Sequence, residues 1–384
     1  MKQQLRTYLP DFIKPALRLL RYSKERRKWV RERFIKKEQD RLLPLHYDKN
    51  VKSLIVFFAL GSDWATGKDE ISGGILSIVS VCEETAKLAD VHKSETIMCT
   101  MNNAHLLLQH EKFENNTLVY RFGQLVNYFT QLSSLVIHIP EMLAENFLNG
   151  LTATDKQWLS AIPRLHINVM NQNIRLMPAP AAFVRLKQLA ATVTITTAHS
   201  KYCNPHYRSY FGVPIHKLSV WISPEQYAFT EWRSKENLLV VSPDKHPMKE
   251  EIMAMLQTVP GLKVQIIQNL TYKEYKSVVS RAKWTLTFGE GLDGYFIEPV
   301  FSGAIAFAVY NEDFFTPDFE TLPTVYDSFD RLKQEMVSKM SALDNEVAFE
   351  PIQKEQFSLC ARYYSKATYV NNIIAFYKGE FTYA

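Results

Sequence analysis

The chain has few cysteines: Cys82, Cys99, Cys203 and Cys360 are scattered through 384 residues without a C-x-x-C pair. That spacing argues against a zinc site or a disulfide framework and fits a reducing, cytoplasmic compartment. No stretch of 18 uncharged apolar residues occurs, and the N-terminus is charged throughout, so neither a spanning helix nor a secretory signal peptide is predicted. P-loop lysine and G-x-S-x-G signatures are missing, which removes two common routes to phosphoryl and acyl transfer. Internal repeats and low-complexity tracts are also absent.

Hydrophobic residues make up 46%, charged residues 22% and aromatic residues 12% of the sequence. Those are the proportions of a folded globular protein. The length suits two domains with a cleft between them. Net charge is +5 overall, but residues 1–41 hold 14 Lys/Arg against 5 Asp/Glu, leaving a mildly acidic body. A nucleic-acid groove through the fold is therefore not expected.

Residues 1–48 form a basic leader. Leu5, Leu9, Phe12, Ala16 and Leu20 recur at helical spacing, with Lys14, Arg18, Arg21 and Arg26-Arg27-Lys28 elsewhere on the wheel. Residues 1–45 are thus suited to an anionic membrane surface, each cation adding about 1 kcal/mol. The alternative is a solvated helix whose apolar stripe packs on the body or a partner. Pro10 and Pro15 limit the regularity of its first turns.

Downstream, short β-branched runs alternate with longer amphipathic ones. "SLIVFFAL", "TIMCTM", "SLVIHIP", "RLHINVM" and "TVTITTA" read as strands of a first lobe over 49–222, with a helix from about Ile75 to Leu88. "NLLVVS", "LKVQIIQ", "WTLTF", "AIAFAV" and "TVY" read as strands of a second lobe over 236–345, with helices at about 246–257, 271–281, 295–303 and 328–342. Continuous apolar runs imply parallel sheets covered on both faces. Residues 346–384 read as helices that pack back across the lobe boundary.

The most informative stretch is "TLTFGEGLDGYFIEPVFSGAIAFAV", 285–309. Gly289, Gly291 and Gly294 spell G-x-G-x-x-G, which suggests a dinucleotide. Against that, the helix before Gly303 is short and contains Pro299, and few strands follow it. A second reading uses more residues: Glu290 at a strand end and Glu298 in the next helix would place two carboxylates in the crevice of an open sheet. Glycines there allow close backbone approach and expose N–H groups at a helix N-terminus, where a phosphate is stabilised. Carboxylates accept hydrogen bonds from sugar hydroxyls. Glu298 also lies beside apolar Phe296, Ile297, Val300 and Phe301, an odd setting for a merely solvated acid.

"GEGLDGYFIEPVFSGAIAFAV" resembles the E-x7-E signature of the retaining GT-B glycosyltransferases, notably glycosyltransferase family four. The match is good over about 237–310 and looser over the first lobe. The resemblance implies a GT-B fold of two Rossmann-like domains facing across a cleft, and transfer of a sugar from a nucleotide-sugar donor to a glycan or lipid-linked acceptor. It implies that Glu290 contacts the donor sugar and Glu298 the ribose, while backbone amides around Gly291, Leu292 and Gly294 bind the donor. It assigns Lys245, with Lys249 in reserve, to the leaving diphosphate, although the Arg that usually precedes this lysine is missing from "VVSPDKHPMKEE". Gly73 and Gly74 in "ISGGILSI" resemble the glycine loop near the donor. His138 in "LVIHIPEM" falls where the family often has a strand-end histidine, although a half-buried structural histidine fits equally; His199 and Ser200 resemble the turn that closes the first lobe. No cofactor beyond the co-substrate and no metal is expected, since no D-x-D motif of the other glycosyltransferase fold occurs. The competing reading is a non-catalytic GT-B protein that binds a nucleotide sugar or scaffolds a glycan-assembly complex.

Overall fold

The computed structural model describes residues 44–59, 73–102, 117–219, 224–268 and 270–384. The leader lies outside the described residues up to position 43.

The first lobe is built on seven parallel strands, β1 (Ser53–Phe58), β2 (Glu95–Thr100), β3 (Val119–Arg121), β4 (Ser134–Pro140), β5 (Arg164–Asn171), β6 (Thr192–Thr197) and β7 (Ile215–Lys217), in the order β3-β2-β1-β4-β5-β6-β7. The central strand SLIVFF is buried from Leu54 to Phe58, as expected when helices cover both faces of a parallel sheet. The five predicted strands are all present. The edge strands β3 and β7 were not predicted, because three residues show no usable periodicity.

The second lobe has five parallel strands, β8 (Glu236–Val241), β9 (Lys263–Ile266), β10 (Ala282–Leu286), β11 (Ile305–Val309) and β12 (Val325–Tyr326), in the order β12-β11-β10-β8-β9. All five were expected from the sequence, as were the helices Lys249–Gln257, Tyr272–Arg281, Gly294–Phe301 and Phe329–Leu343 to within a few residues. The helix Gly294–Phe301 starts at Asp293, whose side chain accepts from the Phe296 N–H. Pro299 inside it removes the donor that Tyr295 would otherwise receive. The Tyr295 carbonyl instead accepts from Thr285 Oγ1 at 3.0 Å, so the short helix is fastened to β10.

After this lobe the helix Glu346–Tyr364 packs on it, with buried Gln356 bonded to both Ala306 N and Ala306 O of β11. The next helix, Lys366–Lys378, lies on the first lobe, and Tyr383 pairs antiparallel with Ile215 of β7.

Candidate active site at the lobe boundary

Strand order fixes where an open parallel sheet binds ligands: the crevice at the carboxyl ends of the two strands where the order reverses. In the second lobe these are β8 and β10. The segments leaving them, Ser242–Lys249 and Thr287–Gly294, are stitched together where Phe288 N donates to Ser242 Oγ at 3.0 Å. The predicted glycine-and-glutamate loop therefore sits at the crevice.

The glycines have specific neighbours. Gly291 has φ +88°, and a Cβ there would lie 2.4 Å from Phe315 Cε2. At Gly289 the nearest atoms belong to the Asp244 carboxylate, and at Gly294 to Glu298 Oε1. The positive φ and the Phe315 ring thus require glycine at 291, whereas at 289 and 294 a Cβ would press only on the ends of the Asp244 and Glu298 side chains. Leu292 between them is buried in the core with Phe296 and Phe315, leaving only its backbone to a ligand.

Four carboxylates surround this loop. Glu290 is half-buried and its pKa is pushed up to about 7, first by burial and then by Asp244, with Arg175 and Asn173 opposing. Asp293 is pushed up to about 8 by burial, then by Asp244 and Glu290. Glu298 is raised to about 7 by burial, while the neighbouring hydroxyls of Tyr275 and Tyr227 pull the other way. Asp244 Oδ2 is buried without a hydrogen-bond partner. A buried carboxylate oxygen so placed is open to a donor from a ligand.

The first lobe contributes the segment that follows β5. Gln172 Nε2 donates to Gly74 O at 3.0 Å, at the start of the helix Gly73–Ala86. Next to it, Asn173 Nδ2 donates to Glu290 Oε1 at 3.0 Å across the boundary. The Asn173 N–H donates to Glu141 Oε1 at 3.1 Å; Glu141 is a buried acid just past β4, beside the reversal in the first sheet, and its pKa is raised by burial. His199 bonds Gln172 O through Nε2 and meets Phe314 of the second lobe edge-on at 5.0 Å; burial lowers its pKa to about 4. At the rim, Asp313 receives Lys201 Nζ at 3.0 Å and Arg175 Nη2 at 3.2 Å. With the Tyr202 hydroxyl, these cations hold Asp313 down to about 2.

Glu298 lies against Gly294, Tyr227 and Tyr275, and the structure brings Gly74, Glu290 and the loop 289–294 to the lobe boundary. His138 is not among them. It is 1% exposed in the first sheet, stacked on Phe57 at 4.2 Å and bonded to Tyr377 Oη and Asn168 Nδ2, so both ring nitrogens are occupied beneath the C-terminal helix. The expectation of a donor-facing histidine is corrected accordingly. Lys245 is exposed, while Lys249 is folded back, its ammonium donating to Ser242 O at 2.6 Å and Asp244 O at 2.8 Å. Sequence reasoning missed Asn173, Glu141 and Asp244. The polar run "NQN", which begins at the last residue of β5, was the available signal for the first.

Among the described residues no group of His, Cys, Asp and Glu has the arrangement of a metal site. No helix among them is long and apolar enough to cross a membrane.

Neither a protein-family model nor a curated protein sequence matches the chain. Solved structures do. An alpha-glucosyltransferase in complex with UDP-glucose and DNA superposes with a TM-score of 0.56 at 9% identity, over 85% of this chain and 99% of that one. HepE of Anabaena, in complex with UDP and glucose, gives 0.53 at 11% identity over 85% and 100%. An alpha,alpha-trehalose-phosphate synthase of Burkholderia xenovorans gives 0.51 at 8% identity over 85% and 100%. Together with the two facing parallel sheets, these likenesses define the chain as a GT-B fold protein. At such identities the likeness is one of fold, and the chemistry must be argued from the site.

Proposed function

We propose that the protein is a glycosyltransferase that moves a sugar, of hexosyl type, from a nucleotide-sugar donor to a glycan or lipid-linked acceptor, with retention and without a metal. The observation that carries this reading is Glu290: a half-buried carboxylate at the β8/β10 reversal, hydrogen-bonded across the lobe boundary, beside a loop whose backbone enters a helix N-terminus. Its neighbours suit a polyol ring, and the helix start suits a phosphate. UDP or UDP-glucose bound in structures of the same fold supports the choice of donor. Glu290 would accept sugar hydroxyls and Glu298 would serve the ribose.

The test is a panel of UDP-, GDP-, dTDP- and CMP-sugars. One of them at a hundred times its dissociation constant should stabilise the protein by about 2.7 kcal/mol. Slow donor hydrolysis or transfer should fall about a hundredfold in Glu290→Gln. Turnover indifferent to that change would refute the site.

A second reading, non-catalytic binding of a nucleotide sugar, is favoured by one observation: the Lys249 ammonium is engaged by the backbone carbonyls of Ser242 and Asp244 instead of being free for a leaving diphosphate. Stabilisation by a donor without any turnover would select it. The leader is proposed to bring the protein to an anionic membrane surface; flotation with liposomes, with and without residues 1–45, decides that.

A further inference from the structure

Asn173 makes three hydrogen bonds that belong to three different structures. Its N–H donates to Glu141 Oε1 of the first lobe at 3.1 Å. Oδ1 accepts from Arg175 N at 3.0 Å, capping the short helix Ile174–Leu176. Nδ2 donates to Glu290 Oε1 in the second lobe at 3.0 Å. The side-chain oxygen thus serves local structure and the side-chain nitrogen serves the other lobe.

We propose that Asn173 is a positioning residue for the sugar-binding carboxylate: its amide nitrogen, from the first lobe, orients Glu290 of the second across the boundary. This inference rests on the donor-binding reading above and adds a residue to it. The groups facing Glu290 are the acids Asp244, Asp293 and Glu141 and the Tyr364 hydroxyl of the helix Glu346–Tyr364, together with Arg175 and Asn173. Arg175 is two-thirds exposed and turned to Asp313, so the buried stabilisation of the Glu290 anion falls to the Asn173 amide. Glu141 Oε1, by holding the Asn173 backbone, fixes where that amide points.

The divided roles of the side chain give a clean test. Asn173→Asp keeps the oxygen that caps Arg175 but removes the N–H and adds a like charge beside Glu290. Asn173→Ala removes both. The measurement is the melting-temperature shift given by UDP-glucose beyond that given by UDP, across pH 5–9, on the full chain; if the panel above selects another nucleotide, the matching pair replaces it. Expected is an excess shift in wild type that vanishes in Asn173→Asp, corresponding to an affinity loss of about tenfold to a hundredfold. In Asn173→Ala it should weaken and its acidic limit should move to higher pH, because the Glu290 anion has lost a donor. The response to the nucleotide alone should persist in both. An Asn173→Asp protein with the full excess shift would reduce Asn173 to a cap and overturn the inference while leaving the donor reading intact. Loss of the nucleotide response together with the sugar response would also overturn it, since the effect would then be collapse of the site. If wild type responds to no donor, both the inference and the reading beneath it fall.

Discussion

His138 and Glu290 stand in matching places in the two sheets. His138 lies near the carboxyl end of β4, which flanks the order reversal of the first sheet, and Glu290 follows β10, which flanks that of the second. Their fates are opposite. Glu290 reaches over the boundary to Asn173, whereas His138 is sealed under the helix Lys366–Lys378, where Phe376 lies 5.3 Å from His138, 5.4 Å from His166 and 5.9 Å from His216. A strand end at a reversal is a necessary condition for a ligand site but not a sufficient one; what covers the strand decides. The three histidines form the seat of a C-terminal helix that arrives from the second lobe, and a satisfied network of Asn168, Thr194 and Thr196 lies behind them.

The sharpest way to break this comparison is to empty the seat. Phe376→Ala should cost about 3–5 kcal/mol, because a ring that is 3% exposed would be replaced by a cavity among histidines. Urea denaturation measures it, and a cost below about 1 kcal/mol would mean that the helix is not clamped there. Next in size, Gly291→Ala should destabilise by about 2–3 kcal/mol, from positive φ and the clash with Phe315. In contrast to Gly291→Ala, Gly212→Ala has open space around its Cβ and only the strain of φ +66° to bear, so it should cost less.

The two regions should also respond to pH with opposite sign. His166 has its pKa lowered by burial to about 4. The unfolded chain takes up that proton first, so the contribution of His166 is fully present above about pH 6.5 and is lost as the pH falls toward 4. Glu290 has its pKa raised to about 7. Its folded form prefers the proton, so its contribution is full below about pH 4.5 and is lost as the pH rises through 7. Glu290→Gln should therefore stabilise the protein at pH 8 by about 1 kcal/mol, after allowance for partial solvent screening, while lowering the proposed turnover about a hundredfold. Denaturation curves at pH 5 and pH 8 test the sign; stabilisation at the lower pH only would contradict the burial of Glu290. The smallest effect should come from Asp313→Asn at the exposed rim, no more than about 1 kcal/mol and weaker in high salt. A larger loss would make the rim, and not the C-terminal helix, the main tie between the lobes.

Much of the fold could be read from the sequence because its causes are local. Continuous apolar runs such as SLIVFF and TVTITT mark buried parallel strands, and their alternation with amphipathic segments dictates two α/β layers. The loop around Glu290 was legible for the same reason: glycines and acids follow a strand within a few residues. Asn173 and Glu141 were not, since each matters through a partner 32 to 117 residues away. Nor could the sequence tell which side of β4 carries His138.

The sequence by itself determined the two-lobe parallel architecture and the chemical character of the Gly289–Glu298 segment, since both follow from the residue types and short-range spacing of single strands and turns. Only the tertiary structure decided which acids share the cleft, which histidine is buried away from it, and that the last helix returns to the first lobe. Those outcomes depend on strand order and on which distant surface covers which face, and no local pattern encodes either.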